Sequence, residues 1–125
     1  MKCKEDKDND VLYIDNVTYA GYKWISCSFK FYKNRLLSVA FGNECGKEKA
    51  TRIYDTILEN IVRKYPQVPR RMDIDKPSEK TASFDDGNVV LSISYDFDGE
   101  GGFATLFYMD RAIAVEINKD QLNDL

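Results

Sequence analysis

The middle of the chain carries the repeat of an amphipathic α-helix. Between residues 47 and 65, apolar side chains recur at alternating steps of three and one, which places them on one side of a helix. They are Ala50, Ile53, Tyr54, Ile57, Leu58, Ile61, Val62 and Tyr65. Pro66 ends the pattern, because the residue before a proline disfavours α geometry. Such a helix must bury its apolar side against another element.

The segments on both sides of this helix alternate polar and apolar residues, as half-buried β-strands do. Strands are predicted over residues 11–19, 22–32 and 35–41, and again over 80–84, 88–97, 103–109 and 111–117. The pairs Lys33-Asn34 and Asp86-Gly87 are typical hairpin turns, so the strands they join are antiparallel. Residues 42–46 are predicted to interrupt the third strand, and residues 67–78, which hold two prolines, are predicted to form a loop.

These patterns predict an α+β fold with the order βββ-α-ββββ, in which one long helix packs on one face of a mainly antiparallel sheet. The chain of 125 residues fits one domain. We expect that domain to span residues 11–118, between polar tails at 1–10 and 119–125. One helix cannot cover both faces of a sheet, so one face must be solvated or covered by something else. The sequence shows no convincing internal repeat, although strands on both sides of the helix could hide a diverged one.

The chain has no histidine. Ser–His–Asp and Cys–His catalysis are thereby excluded, and the commonest ligand of transition metals is missing. The glycines and acidic residues at 96–102 do not match a calcium loop or a phosphate-binding loop, which need a different spacing or a following helix. Paired carboxylates fall in predicted turns and loops or at the strand ends beside them, at Asp73 and Asp75, Asp85 and Asp86, and Asp96 and Asp98. We therefore predict no catalytic residue, no metal and no cofactor.

The balance of charge also limits the partners. The chain has 18 basic and 21 acidic residues, for a net charge of -3, which provides no general attraction for nucleic acid. Apolar runs are four residues or shorter, whereas a membrane-spanning helix needs about 20. We predict neither a nucleic-acid partner nor a transmembrane segment.

Aromatic residues supply the remaining functional signal. In the strand over residues 22–32, Ile25, Cys27 and Phe29 alternate with Trp24 and the polar residues, which predicts that Trp24 lies on the outer face. Tyr and Trp offer a large contact area at low entropic cost and are enriched in binding sites. A protein- or peptide-binding surface is therefore predicted at Tyr22, Trp24, Tyr32 and Tyr108. The alternative is that these residues simply cap the sheet.

Three cysteines leave two alternatives open. In the first, the protein is exported, Cys27 and Cys45 form a disulfide, and Cys3 has a separate fate, such as lipid attachment at the cell envelope. Cys3 followed by a polar run resembles the mature start of a bacterial lipoprotein. In the second, the protein is cytoplasmic, all three thiols are free, and residues 1–10 are a disordered tail.

The aromatic run at residues 17–24, a second at 29–36, and Lys64-Tyr65-Pro66 at the helix end resemble small uncharacterised cell-envelope α+β domains of some anaerobic bacteria. The order of strands and helix also resembles β-lactamase-inhibitor-like domains, which bind proteins through an exposed sheet face. The resemblance covers residues 11–66. It implies an exported domain without known activity, and it assigns no functional residue.

Together these observations favour a non-enzymatic binding or interaction domain that is associated with the cell envelope. One alternative is a small cytosolic enzyme or ligand-binding protein that uses carboxylates and tyrosines. It would need a concave pocket with at least two convergent carboxylates. Another alternative is a structural subunit that dimerises through its exposed sheet face.

Overall fold

The computed structural model describes residues 3–6, 10–99 and 101–123, with side chains from residue 10 onward. The chain forms an α+β fold of eight strands and two helices within those residues. In chain order they are β1 (Cys3–Asp6), β2 (Val11–Tyr19), β3 (Tyr22–Tyr32), β4 (Arg35–Gly46), α1 (Lys47–Lys64), β5 (Arg70–Lys76), β6 (Glu79–Asp85), β7 (Val89–Asp98), β8 (Gly101–Asp110) and α2 (Arg111–Asn123). Neither helix of the described residues is long and apolar enough to cross a membrane.

All eight strands form one antiparallel sheet in the order β1-β2-β3-β4-β8-β7-β6-β5. Each half of the chain is thus a four-stranded meander followed by a helix. We call β1–β4 the first meander and β5–β8 the second. They meet at the centre of the sheet, where β4 pairs with β8 from Ser38↔Met109 to Gly46↔Gly101. The fold therefore repeats the order ββββα, which the sequence conceals.

The predicted helix is confirmed as α1, which packs against β4, β7 and β8. Its buried residues Ile53 and Ile57 join Phe41, Ile93 and Leu106 in one apolar core. Phe41 pairs with Leu106, and Leu106 pairs with Ile93, so these three side chains share one face of the sheet. We call this the helix-side face. Full burial of such side chains contributes about 1.5–3 kcal/mol each, which anchors the helix to the centre of the sheet.

A glycine lets the start of α1 approach the sheet closely. A Cβ added to Gly102 would lie 3.0 Å from the Cβ of Ala50 and 3.1 Å from the carbonyl oxygen of Gly46. Because those neighbours include backbone, a side chain at this position would push the helix away from β8. The small residue thus sets how closely α1 sits on the second meander.

Two of the predicted interruptions are wrong. Residues 42–46 continue β4, because Gly42 pairs with Thr105 and Cys45 pairs with Gly102 of β8. Within the predicted loop, Arg70–Lys76 forms β5 and pairs with β6. The prolines that suggested a loop lie just outside this strand, where they remove no hydrogen bond from the ladder.

The predicted last strand is also wrong. Residues 111–117 begin α2, which continues through most of the predicted C-terminal tail. Ile113, Val115 and Ile117 alternate as in a strand, but Ile113 and Ile117 are four apart and share a helix side equally well. Asp110 fixes the helical start, since its Oδ1 accepts a 3.0 Å hydrogen bond from the N–H of Ile113.

Polar contacts hold α2 on the face opposite to α1. The hydroxyl of Tyr32 donates to Asp120, Arg35 pairs with Glu116, and the Nζ of Lys33 lies 3.1 Å from Asp120. Tyr32 and Arg35 are partners across the β3–β4 hairpin. The pairing of β3 with β4 shifts between Lys30 and Phe31, but the extra residue is Leu37 on β4, so the alternation of β3 continues. Tyr32 lies three residues after Phe29, which packs against the core, so its side chain points to the other face. The two helices therefore contact opposite faces of the sheet.

Candidate binding site

Trp24, on which the predicted aromatic surface depended, is completely buried, with 0% of its surface exposed. Its Nε1 donates a 2.9 Å hydrogen bond to the carbonyl oxygen of Tyr19, and its ring lies 5.8 Å from that of Phe41. The prediction that Trp24 faces outward is wrong. Ile25, predicted to be in the core, is 53% exposed.

The cause is a break in the alternation of β3. Regular pairing with β4 ends at Ser26↔Gly42, and beyond it the buried amide of Asn43 bonds the backbone of β3. Asn43 accepts a 2.8 Å bond from the N–H of Ile25 and donates a 2.9 Å bond to the carbonyl oxygen of Lys23. Ile25 and Ser26 are consecutive exposed residues, so the strand changes phase and both Trp24 and Cys27 are buried.

The other predicted binding residues do not form one surface. Tyr22 is half-buried and its ring packs edge-on to Trp24 at 6.4 Å. Tyr108 packs against the core beneath α1, whereas Tyr32 lies on the opposite face with α2. The structure therefore separates Tyr32 from Tyr22, Trp24 and Tyr108.

The helix-side face of the first meander carries a recess that α1 does not cover. We call this cavity of about 430 Å³ the apolar recess. It is lined by Ile14, Val17, Tyr19, Cys27, Phe29, Val39, Phe41 and Tyr108. The strand register places Cys27 between Ile14 and Phe41, and Val39 between Phe29 and Tyr108. Residues of four adjacent strands thus form one apolar floor.

A second cavity, of about 510 Å³, lies between the C-terminal half of α1 and the sheet. Its lining residues are Tyr19, Ala20, Ile57, Asn60, Ile61, Lys64, Tyr65, Leu91, Leu106 and Tyr108. Lys64 carries the one charge among these residues, so we call this cavity the cationic recess. The Nζ of Lys64 lies 5.5 Å from the centre of the Tyr65 ring, which keeps the ammonium beside the cavity wall.

Two tyrosines form the boundary between the recesses. The hydroxyl oxygens of Tyr19 and Tyr108 are 3.0 Å apart, and both residues line both cavities. Tyr19 also stacks on Phe41, with ring centres 4.4 Å apart and nearly parallel planes. Burial, and then the hydrogen bond to Tyr19, raise the pKa of Tyr108 well above its ordinary value. The hydroxyl stays protonated and can donate a hydrogen bond.

Sequence reasoning missed Tyr19 as a site residue. Its position is set by the turn that follows, in which Ala20 and Gly21 have φ angles of 54° and 81°. A tight turn with two positive φ angles brings Tyr19 opposite Tyr22 at the end of the β2–β3 hairpin. The Ala-Gly pair was a local signal for that turn, but the contact with Tyr108 joins residues 89 positions apart.

A third cavity, of about 290 Å³, adjoins the C-terminal end of α1 and includes Tyr108, Tyr65 and Asp86. The carboxylate of Asp86 already has hydrogen-bond partners in the backbone. Asp86 accepts 2.8 Å hydrogen bonds from the N–H groups of Val89 and Asn88, and these bonds lower the pKa of its carboxyl group. Asp86 is thus a turn residue, as the sequence predicted.

The disulfide between Cys27 and Cys45 that the first of the two alternatives predicted is not formed, since both are free thiols. Cys27 lies opposite Phe41, and Cys45 lies four residues farther along β4. At about 3.3 Å per residue, that separates them by roughly 13 Å, twice the reach of a disulfide. Burial raises the pKa of both thiols. The predicted lipid attachment concerns the side chain of Cys3, which lies outside the described side chains.

Three acidic residues line a further recess, away from the apolar and cationic recesses. Glu44, Asp96 and Asp98 line a recess of about 300 Å³, and all three are exposed. Among the residues that the structure describes, no group of three acidic or cysteine side chains could hold a metal ion. Acid–base catalysis by two carboxylates needs different environments for the two groups, and exposure makes these environments alike.

Comparisons with protein-family models, with curated proteins and with solved structures find no match to this chain.

Proposed function

We propose that this protein is a non-enzymatic binding domain, and that its binding surface consists of the apolar recess and the cationic recess. One observation carries the proposal. The helix-side face of the sheet is apolar on both meanders, but α1 packs mainly on β7 and β8 of the second and, in the first, mainly on β4. This surface replaces the one predicted around Trp24.

The size and lining of the recesses support a binding role. Ligand sites are typically concave, measure about 300–1,000 Å³, and combine an apolar lining with a few polar groups. The two recesses measure about 430 and 510 Å³ and meet at the hydroxyls of Tyr19 and Tyr108. Contiguous exposed apolar surface of this kind is typical of ligand-binding and interaction sites.

The alternative of a carboxylate-based enzyme has less support. Convergent carboxylates do occur, at Glu44, Asp96 and Asp98, but they lie outside the apolar and cationic recesses. Their shared exposure gives no reason for one to act as an acid while another acts as a base.

The cell-envelope location stays a proposal that rests on Cys3, the polar residues after it and the resemblance to envelope domains. Its test is the mass of the N-terminal peptide from the membrane fraction of a producing bacterium. Acylation of Cys3 would support the location, and an unmodified N-terminus in protein from the cytoplasmic fraction would contradict it.

A neutral, apolar fluorescent dye such as Nile red tests the binding surface without involving charge. We expect it to brighten on the native protein, and Ile14→Glu to weaken its binding at least fivefold, because the new carboxylate would enter the apolar recess. Val115→Glu is the matched control, since Val115 is 48% exposed on α2 and outside both recesses. Circular dichroism checks that both variants fold.

Equal loss of dye binding in the two variants, or none in either, would contradict the proposal. The alternative of a structural subunit that dimerises through an exposed sheet face is tested by sedimentation over a range of protein concentrations. A dimer that dissociates when Ile14→Glu is introduced would mean that a second copy, rather than a ligand, covers the apolar recess.

A further inference from the structure

We propose that the two recesses bind a single-chain amphiphile with an anionic head group, its alkyl chain in the apolar recess and its head beside Lys64 and Asn60. This inference rests on the proposed function and names the class of ligand. It follows from the different chemistry of the two ends of one site.

The two recesses are neighbours that share a wall. Tyr19 and Tyr108 line both cavities, and their hydroxyls are 3.0 Å apart at the boundary. A ligand that extends from one recess into the other must pass this pair. A hydroxyl there can turn its proton toward the ligand, because each oxygen is both a donor and an acceptor.

The apolar recess offers nothing to a charged group. Apart from the two tyrosine hydroxyls, its lining consists of aliphatic and aromatic side chains and the thiol of Cys27. Desolvation of an ion there would be unfavourable, whereas an alkyl chain gains from leaving water. The apolar recess therefore favours an alkyl chain over a charged group.

The cationic recess has the opposite character at its outer margin. Lys64 and Asn60 lie one helical turn apart on α1, so their side chains point to the same side of the helix. The ammonium and the amide N–H groups are donors, and both residues are exposed. A carboxylate or phosphate placed there would keep contact with water while it accepts hydrogen bonds.

The position of Lys64 at the C-terminus of α1 determines whether the cationic recess can bind an anion. The free carbonyl groups at a helix C-terminus repel anions. Lys64 is the last residue of α1 and the charged residue of this recess, so it offsets that repulsion. Without Lys64, we expect the site to lose its preference for an anion while it keeps its affinity for the chain.

Displacement of Nile red by dodecanoate, dodecyl phosphate, dodecanol and dodecyltrimethylammonium, each below its micelle concentration, tests the inference. We expect the two anions to bind about fivefold or more tightly than the alcohol at low salt, and the cation to bind weakest. The difference should shrink as salt is added, because Lys64 is exposed. Shortening the chain by one methylene should weaken binding about fourfold.

Lys64→Met should bring the anions and the alcohol to the same affinity, while Lys49→Met, an exposed residue of α1 that lines neither recess, should change nothing. Equal binding of anion and alcohol by the native protein would overturn the anionic head and leave the apolar binding surface intact. Failure of all four compounds together with Nile red would overturn the proposed function itself.

Discussion

The two halves of this molecule have the same order of strands and helix, but their helices pack on opposite faces of the sheet. Each half is a meander followed by a helix, and β4 and β8 occupy equivalent places at the centre of the sheet. The 18-residue α1 buries five side chains against the helix-side face, whereas the 13-residue α2 buries Ile113 and lies on the other face. A position equivalent to that of α1 would place α2 over the first meander. The apolar recess lies there instead.

The difference has a simple physical origin. The apolar stripe of α1 is wide enough to fill the space above three strands. In α2 the inward side carries Glu116 and Asp120, which pair with Lys33 and Arg35 of the β3–β4 hairpin. Charged residues on the inward side would be costly to bury on an apolar floor, so α2 stays where its carboxylates remain hydrated. The charged residues of α2 therefore keep it off the helix-side face of the first meander, and the apolar recess is left uncovered.

The largest expected effect concerns the packing of α1. Ile53→Ala should lower the free energy of unfolding by about 2–5 kcal/mol, because it removes a completely buried side chain from the core. Val115→Ala on α2 should change it by less than about 0.5 kcal/mol, since Val115 is exposed. Urea denaturation measures both. Similar losses in the two variants would mean that both helices contribute alike to the free energy of unfolding, which would contradict the difference described above.

A smaller effect is expected from the start of α2. Asp110→Ala should cost about 1 kcal/mol, because the N–H of Ile113 loses its capping carboxylate. Asp55→Ala, on the exposed side of α1, is the control and should be nearly neutral. If Asp110→Ala were neutral as well, α2 would owe nothing to this cap, and its helical start would need another explanation.

The smallest effect is a pH dependence at the contact that holds α2. The hydrogen bond from Tyr32, and then that from Lys33, lower the pKa of the Asp120 carboxyl below its usual 3.8. Stability from this contact is therefore present above the unfolded pKa and is lost as the pH falls through the lowered folded value. Thermal unfolding between pH 5 and 2.5 should show a steeper decline for the native protein than for Asp120→Asn. Parallel curves would mean that the carboxylate does not hold α2.

Local patterns were enough to predict much of this fold. The bounds of β2 and β3, the Lys33-Asn34 turn and α1 within one residue all follow from periodicity and turn chemistry. α2 could not be recognised, because five residues with apolar side chains at every second position fit a short strand as well as the first turns of a helix.

The site was harder to predict than the fold because it depends on contacts between distant residues. Asn43 changes the phase of β3 from 18 positions away, which buries Trp24 and moves Ile25 outward. Tyr19 gains its role from Tyr108, on a strand of the other meander. Tyr108 was predicted as a binding residue, and it does line the recesses, but with Tyr19 rather than with Trp24 or Tyr32.

Methyl NMR during a titration with dodecanoate would show directly whether the uncovered face of the first meander is the binding surface. We predict that the largest shift changes occur at Ile14, Val17 and Val39, which line the apolar recess. The methyl groups of Val115 on α2 and of the exposed Ile25 should stay unchanged. Changes concentrated at Val115 or Ile25, or none at Ile14, Val17 and Val39, would show that dodecanoate does not bind on the uncovered face of the first meander.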